Sequence, residues 1–491
     1  MQQEKKTQNT GLRRCLGLRE ALTITTGTVI GVGLFTVGGN VVGSLGPNVI
    51  FATLAALAIS VYPALLYAEM GAALPFSGGT YLYAGLGLGR PFGMLAGWNF
   101  IISMVSVAGG EALAFSFYLR TLFGALGWPL PVSDRVLAAA ALVLFVALGV
   151  RGTELTGRAQ NGFLFFFWGV AAVWVISMLP HMQLDQLAAP TPAPLGGFLP
   201  CVALVWWCFA GFETCCAMGG EVRYPQIELP RAMFLAPFLV FAVNGLFQWV
   251  LVCVTPSGAL AELAAAAAPY AEGLRLAGVT GLPLVLLCLG IAFGGDFSTL
   301  NAGVSAPARY VFTMARDGAL PAFFGTVHPR WHTPARACLA LGALMLALVA
   351  TGSIALIASL SLFATLVYYI LGIAAAWALR RRCPQLARPY RAPGIAVGAP
   401  VSIAAYLFLI GQLEPAAVWA GLAWCALGLA IYFFYGRRHF AAAQMELGGL
   451  PPAPGPKERE RMDREYRRWK WAVTLGAAAV PLLFLAGFLR R

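Results

Sequence analysis

Gly27-Thr28-Val29-Ile30-Gly31-Val32-Gly33-Leu34-Phe35 lies in the middle of the first apolar run of the chain, and Trp207-Cys208-Phe209-Ala210-Gly211-Phe212-Glu213 lies in the middle of the sixth. Glycine weakens a helix by about 1 kcal/mol relative to alanine, so clustered mid-run glycines let a helix open. An opened helix frees backbone N–H and C=O groups, which hydrocarbon tolerates only where they line a cavity or bind a ligand. The N-terminus of a half-helix attracts a carboxylate, and opposing carbonyls hold an ammonium or a cation. An α-amino acid carries both groups. On the first run alone, Gly27 and Gly31 fit equally well a GxxxG face for close helix packing. The sixth run shifts the balance, because two five-helix halves with an odd number of spans each repeat with inverted topology.

The rest of the composition agrees with a membrane setting. Of 491 residues, 59% are hydrophobic and only 11% charged, with a mean hydropathy of +0.76. Soluble domains carry roughly a quarter of their residues as charges. The apolar runs are continuous and each is close to the ~20 residues that cross hydrocarbon as a helix. Strict alternation is missing, which excludes a barrel. Spans are expected near 20–42, 46–72, 92–123, 133–150, 158–180, 198–220, 231–255, 282–315, 335–352, 354–379, 395–413, 415–436 and 471–489. The polar, basic start runs into a full-length span with no small-residue cleavage site, so no cleavable signal is expected.

The net charge of +13 is spread in a way that speaks against nucleic acid. With the N-terminus taken as cytoplasmic, that side gathers Lys5, Lys6, Arg13, Arg14 and Arg19, then Arg151, Arg223, Arg231, Arg316, Arg330 and Arg336. The cluster Arg380–Arg391 and the run from Arg437 to Lys470 fall there too. The opposite loops hold Arg120, Arg135 and Arg275. This asymmetry orients a multi-pass cell-membrane protein. Residues 437–470, with Pro451, Pro452, Pro454 and Pro456 before the charged run from Lys457, read as a cytoplasmic linker ending in a basic helix beside anionic lipids. The last run, 471–489, is long enough to span or to lie along the interface. The ten cysteines lie mostly in apolar runs, with Cys201, Cys208 and Cys215 spaced by seven, and read as packing residues.

Further motifs follow the glycine clusters in a fixed order: Tyr67-Ala68-Glu69-Met70, Pro75-Phe76-Ser77-Gly78-Gly79-Thr80-Tyr81, Gly211-Phe212-Glu213, Gly220-Glu221-Val222 with Pro225, Pro230-Arg231-Ala232, then Arg309, Ala315-Arg316-Asp317-Gly318 and Pro321. In order and spacing the chain resembles the amino acid–polyamine–organocation transporter family, which has the LeuT-type fold. The resemblance implies an all-α membrane protein with a 5+5 inverted repeat and two or three additional C-terminal helices. The expected division is 1–19 cytoplasmic segment, 20–180 and 181–379 repeats, 380–436 two further helices, 437–470 linker and 471–491 extra helix. It implies a substrate carboxylate at the amides of Gly31, Val32 and Gly33, and an amino group at the carbonyls of Ile30 and Phe209, Ala210 and Gly211. Trp207 matches an aromatic gate, and Phe212 is expected near the substrate side chain.

Acids inside a membrane are costly and mark function. Glu111, Glu213 and Asp296 sit well within spans. By the resemblance, Glu213 aligns with a gating or pH-sensing acid. Asp296 precedes Ser298 and Thr299 on the helix facing the first span, where sodium-coupled members hold their ion. The coupling ion is therefore expected to be a proton or sodium, with Ser298 and Thr299 the candidate sodium ligands. Members of the family often carry a lysine in the fifth span, where Phe167 or Trp168 stands here; no lysine occurs between Lys6 and Lys457. Glu69 reads as part of an inner gate or as a helix cap.

The expected activity is secondary transport or exchange of amino acids by alternating access, with no cofactor and with membrane lipids around it. A cationic amino acid or polyamine is the alternative substrate, motivated by the intramembrane acids. A non-transporting membrane sensor is the alternative of another class. Against an enzyme stand the lack of metal-spaced histidines, of GxxxxGK and of GxSxG, and the loop positions of His181, His328, His332 and His439. The sequence leaves the oligomeric state open.

Overall fold

A computed structural model describes residues 14–188, 195–352, 354–439 and 453–489. Lys5, Lys6, Arg13 and the part of the linker over 440–452 lie outside the described residues, as do the last two positions. Among the described residues there is no strand; helices account for nearly everything. In chain order they are α1 Leu18–Gly27, α2 Gly39–Leu45, α3 Val49–Ala73, α4 Gly79–Gly87, α5 Arg90–Ala125, α6 Asp134–Arg151, α7 Thr153–Met178 and α8 Leu195–Trp207. There follow α9 Thr214–Ala217, α10 Pro225–Val254, α11 Leu260–Ala265, α12 Pro269–Leu276, α13 Leu282–Gly290, α14 Phe297–Arg316 and α15 Ala335–Thr351. The last are α16 Ile354–Arg382, α17 Ile395–Ile410, α18 Pro415–Ile431, the short α19 Arg437–His439 and α20 Pro456–Phe488.

Among the described residues, eight helices are long and apolar enough to cross a membrane, and three shorter apolar ones accompany them. The chain is an all-α integral membrane protein. Two of the shorter helices are cut by breaks: α1 has 10 residues and stops at Gly27, and α8 has 13 and stops four residues before Gly211. The apolar surface is where lipid would lie. Phe434 is 78% exposed, Trp419 72% and Val397 70%, values that water would not reward and hydrocarbon does.

The core is built on α5, which α14 and α16 flank, and on the packed pair α3 and α10. Lipid is as apolar as leucine, so close approach between helices comes from small residues. A Cβ on Gly87 would lie 2.8 Å from the Ala375 carbonyl of α16, and one on Gly245 of α10 would lie 2.3 Å from Val480 of α20. The last helix runs unbroken from Pro456 to Phe488 and packs along α10. Arg231 of α10 pairs with Asp463 and sits 4.8 Å above the Tyr466 ring. A second proline-initiated helix, α10, begins at Pro225, where the missing N–H costs nothing.

Candidate functional site

The first break is held open by side chains from two other helices. After α1 ends at Gly27, residues 28–31 form turns, and a π-helical stretch, Gly33–Gly38, leads into α2. Several of the freed backbone groups find side-chain partners, as a buried break requires. Thr299 of α14 donates its hydroxyl to the Gly27 carbonyl at 2.7 Å and lies 3.2 Å from that of Ile30. Glu111 of α5 accepts the Val32 N–H at 2.6 Å, and Tyr118 of α5 donates to the Phe35 carbonyl at 2.7 Å. Packing makes two glycines obligatory here. A Cβ on Gly31 would stand 2.1 Å from Glu111 Oε1 and 2.4 Å from Thr299 Oγ1, and one on Gly27 would stand 2.2 Å from Ser298 Oγ.

The sixth run stops at Trp207, turns through residues 208–213 and resumes as α9 at Thr214. Gly211 has φ +109°, a conformation side-chain-bearing residues rarely adopt. Its N–H goes to the Tyr369 hydroxyl at 3.1 Å. That phenol also donates to Glu213, which takes a second bond from Tyr368 at 2.5 Å. Tyr368 and Tyr369 are neighbours on α16 and stack at 4.9 Å. The two breaks touch each other where the Cys208 thiol donates to the Gly33 carbonyl at 2.9 Å.

Between the breaks lies a narrow cavity with room for about one water, lined by Thr28, Val29, Val32, Gly33, Trp207 and Ala210 from the broken helices. Ser103, Met104, Val107 and Glu111 of α5 and Thr365 of α16 complete it. Trp207 is fixed by its ring N–H to Ser361 at 3.2 Å. Of the residues singled out in sequence, Val32, Gly33, Trp207, Ala210 and Glu111 line this space, and Ile30, Gly31 and Gly211 lie in the breaks outside the lining. Phe209 is buried, and Phe212 packs on Tyr67 and Tyr369, ring centroids 6.1 and 5.2 Å away, outside the lining.

The three acids fall into two places. Glu213 is clamped by the tyrosine pair. Glu111 and Asp296 come together: their carboxyls lie within hydrogen-bonding reach of each other, both are buried, and Glu111 Oε2 and both Asp296 oxygens have no hydrogen-bond partner. Asp296 ends a π-helical stretch, Ile291–Asp296, that the continuous apolar run 282–315 did not betray. Such stretches often occur at functional sites. Ser298 points elsewhere. It accepts the side-chain N–H of Gln160 at 2.7 Å, and the same nitrogen reaches the Thr23 carbonyl at 3.1 Å while Asn301 donates to the Gln160 oxygen. The fifth-span residue between α1 and α14 is thus Gln160. Phe167 packs on Phe35 and Phe247, and Trp168 on Phe165 and Trp469. Gln160 lies in the polar first turns of α7, two turns before Phe167 on the same face, so the expected position is displaced along the helix.

At the end where α1 begins, polar contacts tie the helices together. Arg14 donates to the Gly219 and Val222 carbonyls, at 3.2 and 2.7 Å. Arg309 and Glu221 pair at 3.3 Å with both side chains buried. Glu69 binds Arg380 and Arg388 of the α16 end and its following loop, and accepts the Ala392 N–H at 2.8 Å.

Comparison with known proteins gives a consistent result. A family model described as "Amino acid permease" matches residues 16–444. An uncharacterised transporter of Mycobacterium tuberculosis is 32% identical over 430 residues, 86% of this chain and 91% of its own. A branched-chain amino acid permease of Bacillus subtilis is 26% identical over 455 residues, 87% of this chain and 94% of its own. The cationic amino acid transporter 4 of Mus musculus is 28% identical over 361 residues, 70% of this chain and 56% of its own.

Proposed function

The chain belongs to the amino acid permease family, and from that premise we propose that it carries neutral aliphatic amino acids across the membrane by alternating access around its two broken helices. In this reading the substrate lies in the cavity between the breaks. Its carboxylate meets the amides of Gly31, Val32 and Gly33, and its ammonium meets the carbonyls around Ile30 and Phe209–Gly211. The basic end faces the cytoplasm, following the distribution of arginine. The helices from 20 to 180 and from 181 to 379 act as the two inverted halves.

The observation that carries the substrate class is the lining. Val29, Val32, Met104, Val107, Trp207 and Ala210 offer an apolar wall, and the one acid among the lining residues, Glu111, is already engaged by the Val32 N–H. A lysine or arginine side chain would need an acid free to face it. The Bacillus relative is named for branched-chain amino acids, which agrees with such a wall. Glu213 and the contacts of Glu69 and Arg309 act as the inner gate, and coupling falls to the acids near the first break.

The test is counterflow in proteoliposomes loaded with unlabelled substrate. Labelled leucine or valine should accumulate transiently, and lysine and putrescine should not. Accumulation of lysine or putrescine in place of leucine would move the assignment to cationic substrates. Absence of counterflow for every amino acid and amine tested would leave a sensor as the better reading.

A further inference from the structure

We infer that the basic half of α20 and Arg19 at the start of α1 together form a binding site for the headgroup of one anionic phospholipid, drawn from the leaflet at that end of the helices. α20 begins at Pro456, beyond the residues 16–444 that the family model matches. The site therefore stands apart from the two breaks and from the substrate reading above.

A groove with room for ≈ 480 Å³ runs between α1, α7 and α20. Arg19 lines it from α1, and Arg461, Arg464 and Arg468 line it from α20. Steps of three and four residues put the last three on one stripe of their helix. Glu465 is the one acid along the lining. The other acids of α20 are engaged. Glu458 accepts the Tyr224 hydroxyl at 2.7 Å, Asp463 pairs with Arg231 of α10 and lies 3.6 Å from Arg459, and Glu460 pairs with Arg464 at 2.9 Å. Among the described residues, Arg19, Arg461 and Arg468 take part in no ion pair. The helix thus sorts its charges, and positive groups converge on the groove from two segments far apart in the chain.

The groove also sits where the charged run meets the apolar one. Lys470 is the last charge before Trp471, and from there to Phe488 α20 carries none. Ala472 lines the groove one turn after Arg468, with Trp469 and Phe165 of α7 beside it. Phe165 is 43% exposed, and Trp469 lies 5.5 Å from Trp168 of α7. Aromatic rings of this kind mark the headgroup level of a bilayer. A phosphodiester fits guanidinium forks through paired N–H bonds, and its acyl chains would run along Phe165 and Ala472 into hydrocarbon. A soluble phosphate would use the arginines alone and leave that apolar wall uncovered. Arg231 over the Tyr466 ring, 4.8 Å from its centroid, and Val480 against Gly245 fix α20 on α10. The arginine stripe is therefore held in place before a lipid arrives, and a bound headgroup would bridge α1 and α20.

The experiment uses the full chain purified in a neutral detergent, with bound lipid read by native mass spectrometry and stability by Tm. The probes are phosphatidylglycerol, phosphatidylcholine with the same acyl chains, and inorganic phosphate. One phosphatidylglycerol per chain should bind saturably and raise Tm, and phosphatidylcholine should stay at background. Inorganic phosphate should bind at least about tenfold more weakly, because it buries no apolar surface. Replacing Arg461, Arg464 and Arg468 together by Gln should weaken phosphatidylglycerol binding on the order of 100-fold, about fivefold for each arginine. Replacing Arg330, Arg437 and Arg438 by Gln removes the same charge from exposed positions elsewhere and should weaken binding less than about twofold. Arg19→Gln, an exposed change on a different helix, should weaken it about fivefold. Equal losses in the two triple variants would mean diffuse attraction to the whole basic face and would overturn the site, as would equal binding of the two lipids. Inorganic phosphate binding as tightly as phosphatidylglycerol overturns the assignment to a lipid. If the α20 triple variant is not recovered folded, unchanged binding by Arg19→Gln overturns the inference by itself.

Discussion

The two breaks open the same kind of helix by different chemistry. Around Gly27–Val32 the freed backbone is held by a carboxyl, Glu111, and by the hydroxyls of Thr299 and Tyr118. Around Cys208–Glu213 it is held by a glycine at positive φ and a stacked tyrosine pair that also fastens Glu213. The first set includes a group that can change charge and that a ligand carboxylate can replace. The second is a phenol-bound clamp with its acid turned away from the cavity lining. In the transport cycle proposed above the two breaks are thus unequal: the first can respond to ligand, and the second sets the geometry.

Substitutions that add bulk at the first break should have the largest effect. Gly31→Val places its Cβ about where Glu111 and Thr299 already are, so uptake should fall below detection, measured in cells alongside membrane yield. Retained uptake would mean that the break relaxes and that the packing seen there is not binding. At the second break the expected loss is smaller. Gly211→Ala puts a side chain at φ +109°, a cost on the order of 1–2 kcal/mol, and should lower the transport rate about tenfold with a fall of a few degrees in Tm. Equal losses at Gly31 and Gly211 would erase the proposed inequality.

Gly33→Ala should be milder again. Its Cβ would meet Cys208 Cα at 3.5 Å, an ordinary contact, so KM for leucine should rise several-fold with little change in maximal rate. The smallest effect is expected from Tyr368→Phe, which removes one of the two phenols on Glu213 and costs about 1 kcal/mol. It should shift Tm slightly and leave the proton dependence of uptake as in the wild type; a changed pH profile would draw Glu213 into coupling.

Both breaks were legible because glycine clusters are rare inside apolar runs, and the acids because so few survive there. The membrane helices stood out by length and hydropathy alone. What stayed hidden depends on rotation and on contacts between distant segments. Gln160 sits in the polar first turns of α7, two turns before Phe167 on the same face, and only the contacts of the folded chain show which turn meets α1, so Gln160 was missed and Phe167 and Trp168 were favoured. Tyr368 and Tyr369 looked like two more aromatics of α16, and only the partner Glu213 reveals their use. Glu111 and Asp296 were noticed singly. Their pairing needs the π-helical stretch before α14, and no residue pattern announces that stretch.

The thiol of Cys208 donates to the Gly33 carbonyl and has no exposure. It therefore marks time as well as place. A maleimide can reach that sulfur only after the two broken helices have moved apart, so its alkylation rate counts separation events. With the other nine cysteines replaced, that single second-order rate constant would follow how often the carrier opens, under each ligand and at each pH, with no radiolabel and no vesicle.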